Sequence, residues 1–163
     1  MYIRKALLKD SVVISAIAKK VWPVAYKNIL TQEQMEYMLQ MMYSTQALHR
    51  QMREAGHVFY LAVIDNSCVG FISFEISYMP GQTKIHKLYV LPDIQTKGIG
   101  TALIEYAGNI ATAQNNTHLI LNVNRYNNAV YFYKKNDFTI IGSEDIDIGN
   151  GYLMEDYIMK KQL

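Results

Sequence analysis

The chain has 163 residues, which is enough for one domain with its own core but short for two. Half of the residues are apolar, 18% are charged and the net charge is +2, values that exclude a disordered chain and do not favour a nucleic-acid surface. No stretch approaches the roughly 20 apolar residues that span a bilayer, and the N-terminus lacks a signal-peptide pattern. We therefore expect a single domain over residues 1–163 in the cytoplasm, with neither nucleic acid nor membrane as a partner. The lone cysteine, Cys68, agrees with a reducing compartment.

The first third of the chain predicts one strand followed by helices. Apolar residues recur there at helical spacing, and each such segment follows a residue that can cap a helix. Pro23 is expected to end the first helix at Trp22, because the residue before a proline disfavours the helical conformation. The predicted elements are a strand over Tyr2–Leu7 and helices that begin at Asp10 or Ser11, at Thr31 and at Ser44, the last ending at Gly56.

The remainder of the chain alternates strands, tight turns and helices. Residues 65–67, 80–81 and 149–151 carry the turn signals. The predicted strands cover residues 58–64, 69–78, 84–91, 118–123, 138–148 and 152–160, and the predicted helices cover 98–113 and 128–136. This is an α/β chain in which a mixed sheet carries helices on its faces, and residues 84–123 form a β-α-β unit.

The turn between strand and helix in this unit carries the most specific signal. Residues 95–101 open a helix, whose first N–H groups have no intrahelical partner and can bind an anion. Glycines at 98 and 100 leave room for a phosphate to approach the backbone. The spacing is not that of the dinucleotide-binding Gly-x-Gly-x-x-Gly motif, because position 103 is leucine, and no Walker sequence is present.

Together with its flanking motifs, this turn resembles the signature of the Gcn5-related N-acetyltransferase (GNAT) superfamily. In that family a strand precedes the pattern Gln/Arg-x-x-Gly-x-Gly/Ala, and a motif of the form Asn…Ala…Phe-Tyr…Phe follows it. The matching positions here are Leu88–Val90, Pro92, Gln95, Gly98, Gly100, Asn127, Ala129 and Phe132–Phe138. The resemblance implies the GNAT acyl-CoA N-acyltransferase fold, an α/β (α+β) architecture with a mixed, mostly antiparallel sheet of six to seven strands flanked by helices.

The resemblance implies that acetyl-CoA lies where the fourth and fifth strands splay apart. The backbone of Leu88, Tyr89 and Val90 would bond the pantetheine arm and polarise the thioester carbonyl. The residues expected to hold the pyrophosphate are Gln95, Thr96, Lys97, Gly98, Ile99, Gly100 and Thr101. Asn127 would hydrogen-bond the CoA arm, with Asn128 as the open alternative.

The resemblance also assigns catalytic side chains. Tyr133 would contact the cofactor and act as the general acid that protonates the leaving thiolate. Many relatives carry a carboxylate base where this chain has Lys84 and Asn122. His86 is therefore the expected base, acting through water, because the usual histidine pKa of about 6.5 suits the task. Glu75 is the alternative base and is also expected to contact the acceptor.

Regular strand alternation predicts that His86 shares a face with Lys84 and Leu88. Trp22 and Tyr26 are expected at the acceptor site, with an acidic hairpin over residues 144–152 nearby. We expect no metal, because the remaining histidines show no metal-ligand spacing.

The function implied is transfer of the acetyl group of acetyl-CoA to a primary amine, by direct attack in a ternary complex. The acceptor would be a small-molecule or peptide amine, such as a polyamine, an amino sugar or a peptide N-terminus. Two alternatives stay open: a noncatalytic acyl-CoA-binding protein, and a protein acetyltransferase that modifies N-termini or lysines. A homodimer is compatible with the resemblance, since the last strands of family members often pair across dimers.

Overall fold

The computed structural model describes residues 1–163, with Thr96 described by its backbone alone. Its elements are β1 (Tyr2–Lys5), α1 (Ser11–Ala25), α2 (Gln32–Tyr43), α3 (Thr45–Arg53), β2 (Val58–Ile64), β3 (Ser67–Met79), β4 (Gln82–Val90), α4 (Ile99–Ala113), β5 (His118–Asn124), α5 (Ala129–Lys135), β6 (Thr139–Asp147) and β7 (Leu153–Gln162). Short 3-10 segments, Leu8–Asp10 and Pro92–Lys97, precede α1 and α4. Among the described residues, no helix is both long enough and apolar enough to cross a membrane.

A single sheet of seven strands organises the fold, in the order β1-β2-β3-β4-β5-β7-β6. Neighbouring strands run antiparallel except β4 and β5, which are parallel because α4 connects them. The expected mixed, mostly antiparallel sheet flanked by helices is confirmed. The element ends differ by a few residues from the sequence pattern: β1, for example, ends at Lys5 rather than at Leu7.

Helices cover both faces of the sheet and create two apolar cores. α4 and α5 pack on one face, whereas α1, α2 and α3 pack on the other. Buried residues of the first core include Ile99, Leu103, Ala107, Ala111 and Val130; those of the second include Ile14, Ile17, Val21, Met38 and Leu48.

Helix α1 continues through Pro23 to Ala25, so the expected break at Trp22 is wrong. Proline removes one N–H group and disturbs the carbonyl group one turn earlier, but both effects fall near the end of this helix. Trp22 is 2% exposed and anchors the last turn in the core. The Tyr26 N–H group then closes that turn on the Trp22 carbonyl group at 3.0 Å. The extra turn carries residues 21–29 toward the end of β4, where several of them line a cavity.

Strand β4 contains a bulge at His86. In the pairing with β3, Lys87 lies opposite Ser73 and Ile85 lies opposite Phe74, so His86 is an additional residue without a partner of its own. A bulge of this kind bends the strand and changes the side-chain alternation beyond it.

The bulge makes the predicted facing of His86 wrong. Lys84 lies opposite Glu75, and Leu88 lies opposite Ile72. Because these partners are three residues apart on β3, Lys84 and Leu88 lie on opposite faces of the sheet. His86 cannot share a face with both of them.

Strands β4 and β5 separate part of the way along their length. They pair from Gln82 opposite His118 to Ile85 opposite Leu121, but β4 continues to Val90 and β5 to residue 124. The split leaves the facing edges of both strand ends without backbone partners from each other. The splayed strands that the resemblance implied are therefore present.

Candidate active site

Two cavities open at the split between β4 and β5. The loop cavity, of about 540 Å³, lies between the end of α1, the end of β4 and the first turns of α4 and α5. The sheet cavity, of about 270 Å³, is enclosed by α1, α2, β4, β5 and β7. Both are lined by Leu88, Tyr89, Asn127, Ala129 and Tyr133. Molecules bound in the two cavities would therefore meet at these residues.

The fold requires glycine at the two motif positions for different structural reasons. Gly98 has a φ angle of +72°, in the left-handed region that glycine adopts without strain. Gly100 packs against α5, because a Cβ atom there would lie 2.9 Å from Cζ of Phe132. The first glycine lets the chain turn into α4, and the second lets α4 approach the helix that carries Tyr133.

Helix α4 begins at the loop cavity, since Gly100 is among the residues that line it. Its first intrahelical hydrogen bond runs from the Ala102 N–H group to the Gly98 carbonyl group at 3.0 Å. The N–H groups of residues 99–101 precede this bond, and with the helix dipole they favour an anion. Lys97 is exposed beside this turn. The side chain of Thr96, also expected at the pyrophosphate, lies outside the described residues.

Two amide side chains fix the walls of the loop cavity. Gln95 Nε2 donates to the Val90 carbonyl oxygen at 3.1 Å and ties the loop to the end of β4. Asn127 Oδ1 accepts from the Ala129 N–H group at 2.8 Å and so starts α5. The NH₂ group of Asn127 can still donate to a ligand. Asn127 lines both cavities, whereas Asn128 lines the loop cavity alone.

Tyr133 stands between the two cavities. It is 8% exposed, and its ring packs edge-on against Phe132 and Phe138 at centroid distances of 5.3 and 5.6 Å. Its hydroxyl group makes no hydrogen bond to the described residues. Burial raises the pKa of Tyr133, so the phenol keeps its proton at neutral pH.

The structure brings His86 and Glu75 together. His86 Nε2 lies 3.0 Å from Glu75 Oε2, and the His57 ring stacks on the His86 ring at a centroid distance of 3.8 Å. His86 lines the sheet cavity, whereas Glu75 and His57 do not. Burial, with Lys87 and Lys84 nearby, lowers the pKa of His86 to about 3, and burial lowers that of His57 to about 4. Both imidazoles are therefore neutral at pH 7.

The donor atoms of His57, Glu75 and His86 lie within 4.8 Å of one another, close enough for a group that could hold a metal ion. Sequence spacing could not show this group, because His57 lies just before β2, Glu75 on β3 and His86 on β4. The hydrogen bond between His86 and Glu75 already occupies one potential metal-ligand atom of each residue. The expectation that the protein binds no metal stays a prediction.

Trp22 and Tyr26 form a wall of the sheet cavity. Their ring centroids lie 4.6 Å apart, and the hydroxyl groups of Tyr26 and Tyr89 are 3.3 Å apart. Tyr43 completes the group, with its ring centroid 6.2 Å from that of Tyr89. This side of the cavity is therefore aromatic, with the Tyr26 and Tyr89 hydroxyl groups paired to each other.

Asp156 is a buried carboxylate in the sheet cavity that sequence reasoning missed. It is 2% exposed and lies on β7, opposite Asn124 of β5 and Glu144 of β6. Asn122 Nδ2 donates to its Oδ2 atom at 3.4 Å. Burial, followed by the nearby Glu144 carboxylate, raises the pKa of Asp156 above 3.8. Apolar residues occur on both faces of β7, so the sequence pattern does not mark this position, and only the strand order brings it to the sheet cavity.

Lys87 is a second charged residue that sequence reasoning missed. It is 9% exposed, lines the sheet cavity and holds its Nζ atom 5.4 Å from the centroid of the Tyr43 ring. Burial lowers the pKa of Lys87 to about 8. The same cavity thus has a buried ammonium group on β4 and a buried carboxyl group on β7.

Comparisons with known proteins agree with this geometry. Residues 26–160 match the family described as the acetyltransferase (GNAT) domain. The chain is 28% identical over 158 residues to a spermidine N(1)-acetyltransferase of Thermoplasma acidophilum, with 94% of each chain covered. It is 33% identical over 93 residues to streptothricin acetyltransferase A of Bacillus subtilis, which covers 56% of this chain and 53% of the relative.

A solved structure shares the whole architecture. The PaiA N-acetyltransferase from Thermoplasma acidophilum, in complex with coenzyme A, superposes with a TM-score of 0.82 at 28% identity, covering 99% of this chain and 98% of that one. The sequence motifs, the split sheet and the family match point to one assignment. The chain belongs to the GNAT acetyltransferases and is an acetyl-CoA-dependent N-acetyltransferase.

Proposed function

We propose that the loop cavity binds acetyl-CoA, that the sheet cavity binds a primary amine, and that the amine attacks the thioester directly where the cavities meet. The observation that carries this proposal is the wall common to both, formed by Leu88, Tyr89, Asn127, Ala129 and Tyr133. A shared wall allows both substrates to be held at once, which supplies the proximity that a ternary-complex reaction needs. The coenzyme A complex of the similar T. acidophilum protein supports the cofactor half.

Backbone groups hold the cofactor in this proposal. The N–H groups of residues 99–101 bind the pyrophosphate at the start of α4, with Lys97 adding positive charge. Beyond Ile85, the edge of β4 that faces β5 is unpaired, so N–H and carbonyl groups of residues 88–90 can bond the pantetheine arm. A fixed N–H group on this edge also polarises the thioester carbonyl, as in an oxyanion hole. The NH₂ group of Asn127 bonds the same arm from the opposite wall.

The reaction moves one acyl group and two protons. The amine nitrogen bonds to the acetyl carbon, the carbon–sulfur bond breaks, and the electron pair leaves with sulfur. The substrate ammonium must lose one proton before attack, and the nitrogen loses a second one afterwards. That second proton replaces the one that the donor group gives to sulfur, so one proton is released to solvent for each acetyl group transferred. Tyr133 is the proposed donor to sulfur, because it is protonated, lines both cavities and has no hydrogen bond to the described residues.

Asp156 is the proposed site for the acceptor ammonium and the proposed first proton acceptor. Its carboxyl group is buried in the sheet cavity, where a cation would relieve the cost of burying the ionised form. Its raised pKa makes it a stronger base than an ordinary aspartate. His86, which is hydrogen-bonded to Glu75 and lines the same cavity, is the competing base.

The acceptor is proposed to be a small cationic amine, such as a polyamine or an amino sugar, or a peptide amine. A cavity of about 270 Å³ fits one amine chain better than a folded protein surface. Similar proteins are named for spermidine and streptothricin acetylation, which supports an amine acceptor without selecting one.

Two measurements test this function. The melting temperature should rise at saturating CoA, because CoA binds only the folded protein. Acetyl-CoA mixed with spermidine, glucosamine or a lysine peptide should release free thiol. Absence of a melting shift would overturn the cofactor site. A melting shift without thiol release from any amine would overturn the acceptor site.

A further inference from the structure

We infer that the acceptor carries a carboxylate as well as its reacting amine, and that Lys87 binds this carboxylate. The inference rests on the proposed function, because it names a second subsite in the cavity assigned to the amine. Lys87 is 9% exposed and its side chain lines the sheet cavity. Among the described residues, no carboxylate oxygen lies within 4.0 Å of its Nζ atom.

A buried ammonium group without an anionic partner is unfavourable, since burial removes its hydration. The Tyr43 ring, 5.4 Å from Nζ, offsets part of this cost through a cation–π contact. The other titratable groups lining the same cavity are better accommodated. Lys84 is half-buried over the Tyr78 ring at 4.6 Å, and His86 is hydrogen-bonded to Glu75. An incoming carboxylate would give Lys87 the partner that the protein itself does not supply.

The placement of opposite charges in the cavity argues against a plain polyamine. Lys87 stands on β4 and Asp156 on β7, with β5 between these two strands. A polyamine bound at Asp156 would bring its other ammonium groups toward Lys87 and be repelled. An amine that carries a carboxylate at its far end would match both charges. The acceptor class is therefore an amino acid, an ω-amino acid or a short peptide with a free carboxylate.

Matched substrate pairs test this assignment directly. In the series from 3-aminopropanoate to 6-aminohexanoate, each member is compared with the alkylamine that has a methyl group in place of the carboxylate. At the best chain length, kcat/KM should favour the carboxylate by at least about tenfold, which corresponds to about 1.4 kcal/mol. The difference should lie mainly in KM, because Lys87 is placed to bind rather than to react.

Variants of Lys87 separate binding from folding. Lys87→Met should abolish the preference by raising KM for the amino carboxylate alone, whereas Lys87→Arg should retain part of it. Lys84→Met is the matched control, since it removes the same charge from the same strand and cavity. It should change both members of a pair by similar factors. Melting temperatures of all variants identify any that fail to fold, and Lys87→Arg then decides the outcome.

Three results would overturn the inference. One is equal or better acetylation of the alkylamines or of spermidine by the wild-type enzyme. Another is an unchanged preference in Lys87→Met. The third is failure of every amine in both series while CoA still binds, which removes the proposed acceptor site and this inference with it. The first two results leave the proposed acetyltransferase function intact.

Discussion

Ile85 on β4 and Leu121 on β5 are the last residues through which these parallel strands pair. Past this pair the sheet opens, and the backbone edges that would have bonded each other can bond a ligand instead. The loop cavity and the sheet cavity both border this opening at Leu88 and Tyr89. In the proposed complex, the opening gives the cofactor an ordered set of backbone partners, to which Asn127 adds its NH₂ group.

Replacement of Tyr133 by phenylalanine should lower kcat by about 100-fold, the low end of the range for general acid catalysis. The ring would still pack against Phe132 and Phe138, so stability and the affinity for CoA should change little. Steady-state thiol release, together with calorimetric titration of CoA, measures the two effects separately. Full activity in Tyr133→Phe would remove this residue as the proton donor.

Replacement of Asp156 by asparagine should separate activity from stability. We expect kcat/KM for the amine to fall about 100-fold, because the ammonium loses both its anchor and its proton acceptor. The free energy of unfolding at pH 7 should stay equal or rise, because a carboxyl group with a raised pKa opposes folding when it is ionised. Urea unfolding and thiol-release kinetics provide the two readouts. Glu155→Gln is the control, a neighbouring carboxylate of β7 that does not line the sheet cavity; an equal loss of activity there would contradict the role of Asp156.

Acid should destabilise the protein through His57 and His86. Their pKa values are lowered to about 4 and about 3 in the folded protein, against 6.5 ordinarily. Between each lowered pKa and 6.5, the unfolded chain binds more protons than the folded protein does. The free energy of unfolding therefore falls as the pH drops below about 6.5. Each histidine contributes at most about 1.4 kcal/mol per pH unit. Urea unfolding between pH 4.5 and 8 measures the slope, which should flatten in a His57→Phe, His86→Gln double variant. If the double variant keeps the wild-type slope, groups other than these two histidines cause the pH dependence of stability.

Replacement of Gly100 by alanine should disturb the contact between α4 and α5. Its Cβ atom would lie 2.9 Å from Cζ of Phe132, so one of the helices or the ring must move. We expect a loss of about 1–3 kcal/mol in the free energy of unfolding, as for other overpacked sites. Activity should fall as well, because α5 carries Tyr133. Adding Phe132→Leu should recover part of the lost stability and activity. If it recovers neither, the contact with Phe132 is not the cause of the losses.

The loop cavity, which we propose for the cofactor, could be predicted from sequence because most of its walls are local. The strand, the turn at residues 95–100 and the start of α4 follow one another along the chain, and α5 comes soon after. The pattern did not show why the glycines stand where they do. Gly98 is needed for a positive φ angle and Gly100 for contact with Phe132, and the latter depends on how two helices pack.

The sheet cavity could be predicted only in part. Trp22, Tyr26 and His86 line it, as expected from the sequence for the acceptor side, but its buried charged residues depend on strand order. β7 lies between β5 and β6, so the last strand of the chain is one strand away from the split and is not the edge strand of the sheet. Periodicity does not show that Asp156 is buried, nor that it faces the same cavity as Lys87. The side-chain facing predicted for β4 is also wrong, since regular alternation takes no account of a bulge. Pro23 shows the same limit: a local rule predicted a helix end, and core packing of Trp22 extended the helix past it.

Because His86 forms the bulge, it can be deleted without changing how the rest of β4 pairs with β3. Lys87 and Ile85 already lie opposite neighbouring residues of β3, Ser73 and Phe74, so deleting the codon for His86 would leave a regular strand in the same register. Such a deletion would take one imidazole from the cavity wall and leave Lys87 facing its present side. We therefore expect a variant that lacks His86 to fold with the same strand pairing, while the sheet cavity loses one polar side chain.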